Sequence, residues 1–269
     1  MAGAHDLTVE LGGTTALAGI SVDVPPGRVT AVVGGDGAGK TTLLRALLGR
    51  VAPRSGHVDV PPAERIGYEP STSGVWPTLT VAENVAFVGA AYGMATPDVR
   101  ARADDLLATA GLDDARGRLG HQLSGGMRQK LGFCLAMLHS PDLLLLDEPS
   151  TGVDPVSRIE LWRLITAAAQ GGAAVLMTTT YLDEAERAAT VVALQEGHVL
   201  AAGRPDEVVG AVPGTVSVGD GPADERTWRR GRTFHTWSPP GADAPGRAVT
   251  PDMEDTLIAL TLARTEETR

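Results

Sequence analysis

Residues 32–44, VVGGDGAGKTTLL, contain the pattern G-x-x-x-x-G-K-[ST] between an apolar run and a segment of helical periodicity. Gly34, Gly39, Lys40 and Thr41 occupy its fixed positions. Glycines let backbone N–H groups curl around phosphate oxygens, while the lysine reaches the terminal phosphates and the hydroxyl binds Mg²⁺. An ordinary glycine-rich turn before a helix is the alternative interpretation. Because strand, lysine, threonine and helix are all in register, the sequence favours a phosphate-binding loop for a nucleotide.

A second apolar run, LLLLDE at 143–148, ends in two carboxylates. Open α/β sheets bind their ligands at the carboxyl ends of strands, so Asp147 and Glu148 are expected at that edge. Asp147 can hold Mg²⁺ through water, and Glu148 can act as general base on an attacking water. Capping of a neighbouring helix is the alternative, but a phosphate-loop site requires an acidic partner for its metal. We therefore assign both residues to the same predicted site as Lys40.

Strand-like and helix-like segments alternate along the chain up to about Gly210. RVTAVVG and DLLLLDE are typical of buried strands, whereas KTTLLRALLG and RIELWRLITAAA have helical periodicity. This alternation predicts an α/β domain with a largely parallel core sheet. The Gly- and Pro-rich stretch from Pro213 to Pro251 has almost no periodicity, so we expect a loosely structured extension there. An amphipathic helix is expected after it, in DMEDTLIALTLAR.

Composition limits the classes of protein to which the chain can belong. With 269 residues, of which 43% are hydrophobic, it is long enough for a substantial core. A formal net charge of −10, with no evident basic patch, argues against general binding to nucleic acid. The single cysteine, Cys134, lies in LGFCLAML and is expected in a helix core, which indicates a reducing, cytoplasmic environment. The N-terminus lacks the pattern of a secretory signal, and no apolar run is long enough to cross a bilayer.

Between the two site motifs lies QLSGGMRQKLGFCLAML, in which Ser124 is a natural helix N-cap and Gly125 and Gly126 leave backbone amides open. Its leucines at i, i+4 and i+7 also fit an ordinary capped helix packed on a core. GGDGAGKTT, LSGGMRQ, LLLLDE and STGVD, in this order and spacing, make the chain similar to the ATP-binding cassette (ABC) family over roughly residues 7–210. The stretches around YLDEAERA and TPDMEDTLIAL most resemble ATPase subunits of ABC-2-type bacterial multidrug exporters.

The resemblance implies a fold and a division of the chain. The expected fold is an α/β P-loop NTPase of the ABC type, with a RecA-like core, an N-terminal antiparallel β subdomain and an inserted α-helical signature subdomain. Residues 1–212 are expected to form the ATP-binding domain, with the helical subdomain at about 78–140. Residues 213–269 are expected to form the C-terminal extension that ends in the amphipathic helix.

The resemblance also implies a function. Such a subunit hydrolyses ATP to power export of a drug-like molecule through a partner ABC-2-type membrane permease, and lies in the cytoplasm at the inner face of the cell membrane. Two cassettes, identical or different, bind ATP and Mg²⁺ between them head to tail. A coupling helix of the permease is expected near residues 68–76, and nucleic acid is not expected as a partner.

The resemblance assigns site residues in several groups. Those assigned to ATP are Gly34, Gly35, Asp36, Gly37, Ala38, Gly39, Lys40, Thr41, Thr42 and Leu11. Those assigned to Mg²⁺ are Thr41 and Asp147, and those at catalytic positions are Glu148, Thr180 and Ser71. The signature residues Ser124, Gly125, Gly126 and Gln129 are expected to act on the opposite cassette, and Asp154 belongs to the D-loop.

Three of these residues depart from the family pattern. Thr180 stands where a switch histidine precedes the YLDEAE-like helix, and threonine cannot carry the charge of an imidazolium. Ser71 stands at the glutamine position of GYxPQ, where its shorter side chain falls short of the metal. Leu11 stands where an aromatic residue stacks on adenine, so a weaker aliphatic contact replaces stacking. Gly35 and Asp36 replace the commoner Pro-Asn, a change of little consequence.

These departures leave a second function open. All three affect the site built from the chain's own Walker motifs, whereas LSGGMRQ, which serves the opposite site, is intact. The alternative is a mainly ATP-binding, regulatory cassette that pairs with a second, catalytically competent one. Retention of Glu148 favours the ATPase, while Ser71 and Thr180 favour the regulatory cassette. A soluble ABC protein acting on DNA or ribosomes would carry a coiled-coil insertion or two cassettes with a basic surface, and the sequence has neither.

Overall fold

The computed structural model describes residues 1–221 and 224–267. The strands are β1 (Ala2–Leu11), β2 (Thr14–Val24), β3 (Val29–Val33), β4 (Ser55–Asp59), β5 (Ile66–Glu69), β6 (Leu143–Asp147), β7 (Ala174–Thr179), β8 (Thr190–Gln195), β9 (His198–Gly203), β10 (Thr215–Gly219), β11 (Thr227–Arg230), β12 (Thr233–Ser238) and β13 (Arg247–Val249). The helices are α1 (Lys40–Leu47), α2 (Val81–Ala91), α3 (Thr96–Ala110), α4 (Gly125–Met137), α5 (Pro155–Gln170), α6 (Leu182–Ala185), α7 (Pro205–Val209) and α8 (Met253–Glu267).

The core is a sheet in the order β5-β6-β7-β3-β8-β9, in which only the β8–β9 pair is antiparallel. Every residue of β3, β6 and β7 is buried. Parallel strands are covered on both faces of the sheet, which explains why these strands are almost continuously apolar. Alternate residues enter opposite cores: Leu144 and Leu146 pack on one face, and Leu143 and Leu145 on the other. The predicted parallel core sheet is therefore present.

A smaller antiparallel sheet, β2-β1-β4, lies beside the core sheet. Its buried face includes Leu7, Leu17 and Ile20, which share one hydrophobic cluster with Leu43 and Leu44 of α1. The turn between β1 and β2 is formed by Gly12 and Gly13, both with positive φ. This sheet therefore packs directly on α1, whose first turn forms the end of the phosphate loop, residues 34–42.

Helices α2, α3 and α4 are inserted between β5 and β6. A capping box at Thr80 begins α2, and the Ser124 hydroxyl begins α4 by accepting the backbone N–H of Met127 at 3.2 Å. The leucines predicted to face inward are buried: Leu131 and Leu135 in α4, and Leu138 directly after it. Throughout residues 1–221 and 224–267, the helices are too short or too polar to span a bilayer.

The C-terminal part differs from the expectation of a loosely structured extension. Strands β10 to β13 form an antiparallel sheet in the order β11-β12-β10-β13, and α8 packs on it through Ala259, which is buried with Val216 and Trp237. The expectation was wrong because these strands are only 3–6 residues long, and glycine and proline lie in the turns between them. The helix predicted after them is present as α8.

Candidate functional site

The phosphate loop follows β3 directly and ends within the first turn of α1. Its lysine, Lys40, is the first residue of α1 and is 6% exposed. The Lys40 ammonium donates to the backbone carbonyls of Gly34 at 2.8 Å and Gly35 at 3.1 Å. These bonds hold the charged group over the loop, at the positive end of the helix, where an anion is favoured.

Two glycines of this loop are required by their surroundings. A Cβ atom at Gly34 would stand 2.3 Å from the carbonyl oxygen of Leu194, and one at Gly39 would stand 2.9 Å from that of Ala16. Gly39 also has a φ of 105°, in the left-handed region that favours glycine. The motif glycines therefore let the loop curl closely against β2 and β8.

Two carboxylates face the loop from the end of β6. Glu148 lies 3.1 Å from the Lys40 ammonium, and the Thr41 hydroxyl lies 3.2 Å from both carboxylate oxygens of Asp147. Asp147 is 2% exposed. The structure thus brings together four residues that the sequence predicted for one site.

Thr178 of β7 organises these carboxylates, and sequence reasoning missed it. Its hydroxyl donates to Asp147 Oδ1 at 2.8 Å and accepts the backbone N–H of Glu148 at 3.0 Å. Glu148 itself has a φ of 49°, a conformation that is uncommon for a residue with a side chain and that concentrates at functional sites. The available signal was the run of three threonines at a strand end.

The other two threonines of that run differ from Thr178. The Thr179 hydroxyl donates to Glu184 at 2.7 Å and accepts the backbone N–H of Tyr181 at 3.0 Å, so it fixes the start of α6. Thr180 follows β7 with an exposed side chain. Its assignment to the switch-histidine position and its catalytic role both stay predictions.

A cavity of about 200 Å³ lies over the phosphate loop. Its lining residues are Ala16, Gly35, Asp36, Gly37, Ala38, Gly39, Lys40, Thr41, Thr42 and Glu148. Ala16, in β2, was not predicted for the site. Leu11, at the end of β1 with a side chain 40% exposed, and Ser71, in the turn after β5, are not among the lining residues.

A second cavity, of about 330 Å³, lies on another side of the same loop. Gly34, Gly35 and Asp36 line it together with Leu257 and Thr261 of α8. The C-terminal helix therefore lies beside the phosphate loop, a proximity that the sequence did not predict.

The signature residues lie away from these cavities. Ser124 and Gly125 are exposed at the start of α4, and Gln129 is 6% exposed further along it. A Cβ atom at Gly126 would stand 2.4 Å from the Ser157 hydroxyl of α5, so α4 and α5 meet closely there. Placement of Ser124 and Gly125 at the surface is compatible with the proposed action on another cassette.

Asp154 links the D-loop to α5. Its carboxylate accepts the backbone N–H groups of Val156 at 3.1 Å and Ser157 at 3.0 Å, as an N-cap does. Hydrogen bonds from Ser157 lower the pKa of the Asp154 carboxyl. The residue therefore ends the loop that follows Glu148 and begins the helix against which Gly126 packs.

The oxygens of Thr41 and Asp147 fit a magnesium ion. Mg²⁺ prefers oxygen ligands and is commonly held by one or two protein groups together with substrate phosphates. A hydroxyl and a carboxylate that lie together beside the phosphate loop provide such groups. We therefore retain these two residues as the proposed metal ligands.

The parallel sheet, the glycine-rich loop and the strand-end acidic pair define a P-loop nucleotide-binding protein. The family model described as ABC transporter matches residues 17–151, half of the chain, and the chain belongs to this family. The predicted family membership is thereby confirmed.

The chain is 40% identical over 212 residues to the probable multidrug ABC transporter ATP-binding protein YbhF of Escherichia coli (strain K12), covering 74% of this chain and 36% of YbhF. It is 38% identical over 207 residues to the daunorubicin/doxorubicin resistance ATP-binding protein DrrA of Streptomyces peucetius, covering 73% of this chain and 63% of DrrA. The chain therefore spans less than two thirds of the length of either relative.

Among solved structures, the ATP-binding subunit of an ABC transporter aligns with a TM-score of 0.71 and 27% identity. The alignment covers 77% of this chain and 91% of that one. The predicted fold class is confirmed by this likeness.

Proposed function

We propose that the chain binds and hydrolyses ATP as the cytoplasmic subunit of an exporter of drug-like small molecules. The observation that carries the proposal is the convergence of Lys40, Thr41, Asp147 and Glu148 at one phosphate loop. The names of YbhF and DrrA, an ATP-binding protein of a probable multidrug transporter and a drug-resistance ATP-binding protein, support the export role.

The contacts of Lys40 indicate how its partners change when ATP binds. Its ammonium is bonded to two backbone carbonyls and to Glu148. Phosphate oxygens are stronger partners for an ammonium than neutral carbonyls are. We expect the β- and γ-phosphates to replace these partners, which releases the Glu148 carboxylate.

The released carboxylate has the chemistry of a general base. Glu148 accepts a proton from the water that attacks the γ-phosphorus, and the bond from that phosphorus to the bridging oxygen breaks. Thr178 holds Asp147 in place through this step, and Lys40 holds the phosphates. Thr41 and Asp147 would hold Mg²⁺, which when bound would neutralise part of the phosphate charge.

Export requires partners, and two exposed aromatic residues support a docking surface for one of them. Trp76 and Phe87 are 41% and 49% exposed, with ring centroids 4.4 Å apart, beside the segment predicted to receive a coupling helix. We propose that an ABC-2-type membrane permease docks there and holds the chain at the inner face of the membrane. A second cassette, a copy of this chain or a different one, would receive Ser124 and its neighbours at its own ATP.

A second candidate function is a mainly ATP-binding cassette that pairs with a competent partner. It is favoured because neither Ser71 nor Thr180 lines the cavity over the phosphate loop. None of the residues that line this cavity therefore brings an imidazole or a side-chain amide close to Glu148.

One experiment separates the two functions. Mg²⁺-dependent phosphate release and ATP binding are measured on the purified chain, on Glu148→Gln and on Glu186→Gln, which alters an exposed carboxyl. Hydrolysis abolished only by Glu148→Gln supports the ATPase. Binding without hydrolysis by the natural chain supports the regulatory cassette, and absence of ATP binding refutes both.

A further inference from the structure

Glu69, the last residue of β5, is a buried carboxyl with no role in the proposed hydrolysis. It is 0% exposed, and burial raises its pKa well above the usual range. Both of its carboxyl oxygens lack a hydrogen-bond partner among the described residues. Burying a charged carboxylate without a partner is far more costly than burying the neutral acid, so the protonated form is favoured here.

The carboxyl of Glu69 shares its space with Ser73 and Gly132. A Cβ atom at Gly132, in the middle of α4, would stand 2.7 Å from Glu69 Oε1 and 2.4 Å from the backbone carbonyl oxygen of Ser73. Ser73 has a φ of 67°, is 3% exposed, and its hydroxyl also lacks a partner among the described residues. The absence of a side chain at Gly132 therefore lets these two polar residues press against α4.

These residues lie at the near end of the 70–79 loop, which connects β5 to α2 and carries Ser71. The far end of that loop is firmly held by the amide of Asn84, which bonds the backbone of Trp76, Leu79 and Thr80 at 2.8–3.2 Å. At the near end the bond from the Ser73 N–H to the carbonyl of Pro70, at 2.8 Å, closes only a local turn. The loop is thus anchored to the helices at one end, and at the other depends on the packing around Glu69.

We propose that Glu69 is a positioning residue: with its carboxyl uncharged, it fixes the near end of the 70–79 loop, and hence Ser71, against the helix that begins at the signature serine. Ionisation of Glu69 draws the carboxyl towards water and releases the loop from α4. Any effect on turnover rests on the proposed function, whereas the positioning itself does not.

The neighbouring charged groups leave Glu69 unpaired. On α4, Lys130 is bonded to Glu160 at 2.9 Å, and burial raises the pKa of the Cys134 thiol to about 12, so that it is neutral. On β6, Asp147 is bonded to Thr41 and Thr178. The charge of Arg102, on α3, lowers the pKa of the Cys134 thiol, and burial is the cause that raises the pKa of Glu69.

The sign of the pH effect follows from these contacts. When the loop opens, the Glu69 carboxyl reaches water and its pKa returns towards the ordinary value of 4.5. The closed loop is therefore favoured most below that value and loses stability as pH rises towards the raised pKa of the closed form. Within this window the opening equilibrium increases by about tenfold per pH unit.

Amide hydrogen exchange of the 70–79 segment, without nucleotide and corrected for the intrinsic rate, tests the proposal between pH 5 and pH 8. Protection in the natural chain is expected to fall by about tenfold per pH unit over part of this range, while Glu69→Gln stays protected. Glu64→Gln, at an exposed carboxyl just before β5, is expected to behave like the natural chain. Identical pH dependence in the natural chain and Glu69→Gln overturns the proposal.

Gly132→Ala provides a second test that does not depend on Glu69→Gln folding. The added methyl group is expected to displace the loop, so the 70–79 segment exchanges faster at every pH while the amides of α4 stay protected. Unchanged exchange of the loop in Gly132→Ala also overturns the proposal. These exchange measurements use no ATP. A chain that fails to hydrolyse ATP would therefore refute the proposed function without affecting the hydrogen-exchange test of Glu69.

Discussion

The Thr178 hydroxyl donates a hydrogen bond to Asp147 Oδ1 at 2.8 Å, from one parallel strand to its neighbour. The same hydroxyl oxygen accepts the backbone N–H of Glu148 at 3.0 Å. One buried threonine thus fixes both the carboxylate proposed for the metal and the backbone that presents the proposed base. The geometry of the acidic pair depends on β7 as much as on β6.

Replacing Thr178 by valine keeps the shape of the side chain and removes the hydroxyl. Because the lost bond is to a buried carboxylate, we expect the free energy of unfolding to fall by about 1.5–3 kcal/mol. Displacement of Asp147 and Glu148 is expected to lower kcat by roughly tenfold to a hundredfold. Denaturant unfolding and phosphate release measure the two effects, and Thr109→Val, at an exposed threonine of α3 away from the site, is the matched control. Full stability in Thr178→Val would contradict the role given to this hydroxyl.

Lys40→Ala removes the ammonium from the phosphate loop. Charge-assisted contacts to the phosphates are worth about 1.5–3 kcal/mol, so ATP affinity is expected to fall by about ten- to 150-fold. Titration calorimetry measures this affinity, and Arg45→Ala, at an exposed cation on the same helix, is expected to bind ATP normally. Unchanged affinity in Lys40→Ala would show that the phosphate loop is wrongly assigned.

Thr180→His restores an imidazole at the end of β7. A histidine can donate to the γ-phosphate and carry a positive charge there, whereas threonine offers one neutral hydrogen bond. We expect turnover of the complex with its partners to rise, with Thr180→Asn as the control for a neutral polar side chain. Turnover that does not exceed that of the natural chain would remove the main support for a vacated histidine position.

Asp255→Ala tests how α8 is held to the C-terminal sheet. The Asp255 carboxylate, 2% exposed, lies 2.9 Å from His235 Nδ1 and 3.3 Å from both the Arg230 guanidinium and the Trp228 indole nitrogen. Removing one partner of a buried charged network costs about 3–5 kcal/mol. Thermal unfolding is expected to show this loss.

Glu254→Ala is the control for that substitution. Glu254 is 51% exposed and lies 3.2 Å from the same arginine, so its removal is expected to cost no more than about 1 kcal/mol. Equal stability of the two variants would argue against a buried network that docks α8.

The parts of the site that follow from local spacing were predictable from the sequence. Lys40 and Thr41 belong to one contiguous motif, and Asp147 and Glu148 end an apolar run whose length indicates a buried strand. Their convergence follows from the topology of parallel sheets. The contacts of Thr178 are different in kind, because they join residues 31 and 30 positions apart and have no fixed sequence spacing.

The C-terminal sheet escaped prediction for a related reason. Its strands are only 3–6 residues long, so the alternation of apolar and polar residues covers too few positions in each strand to be recognised, and the polar positions Ser217, Thr236 and Ser238 are buried as well. Single-sequence patterns identify strands through that alternation. The C-terminal sheet is instead held by pairing between strands and by packing against α8, and these contacts join residues that are far apart in the sequence.

The position of α8 beside the phosphate loop has a practical consequence. Leu257 and Thr261 wall one side of the space around Gly34, Gly35 and Asp36. A fragment shortened to residues 1–212 would expose that side of the loop to solvent while every motif residue remained in place. Nucleotide affinity measured on such a fragment would therefore describe a different binding environment from that of the whole chain.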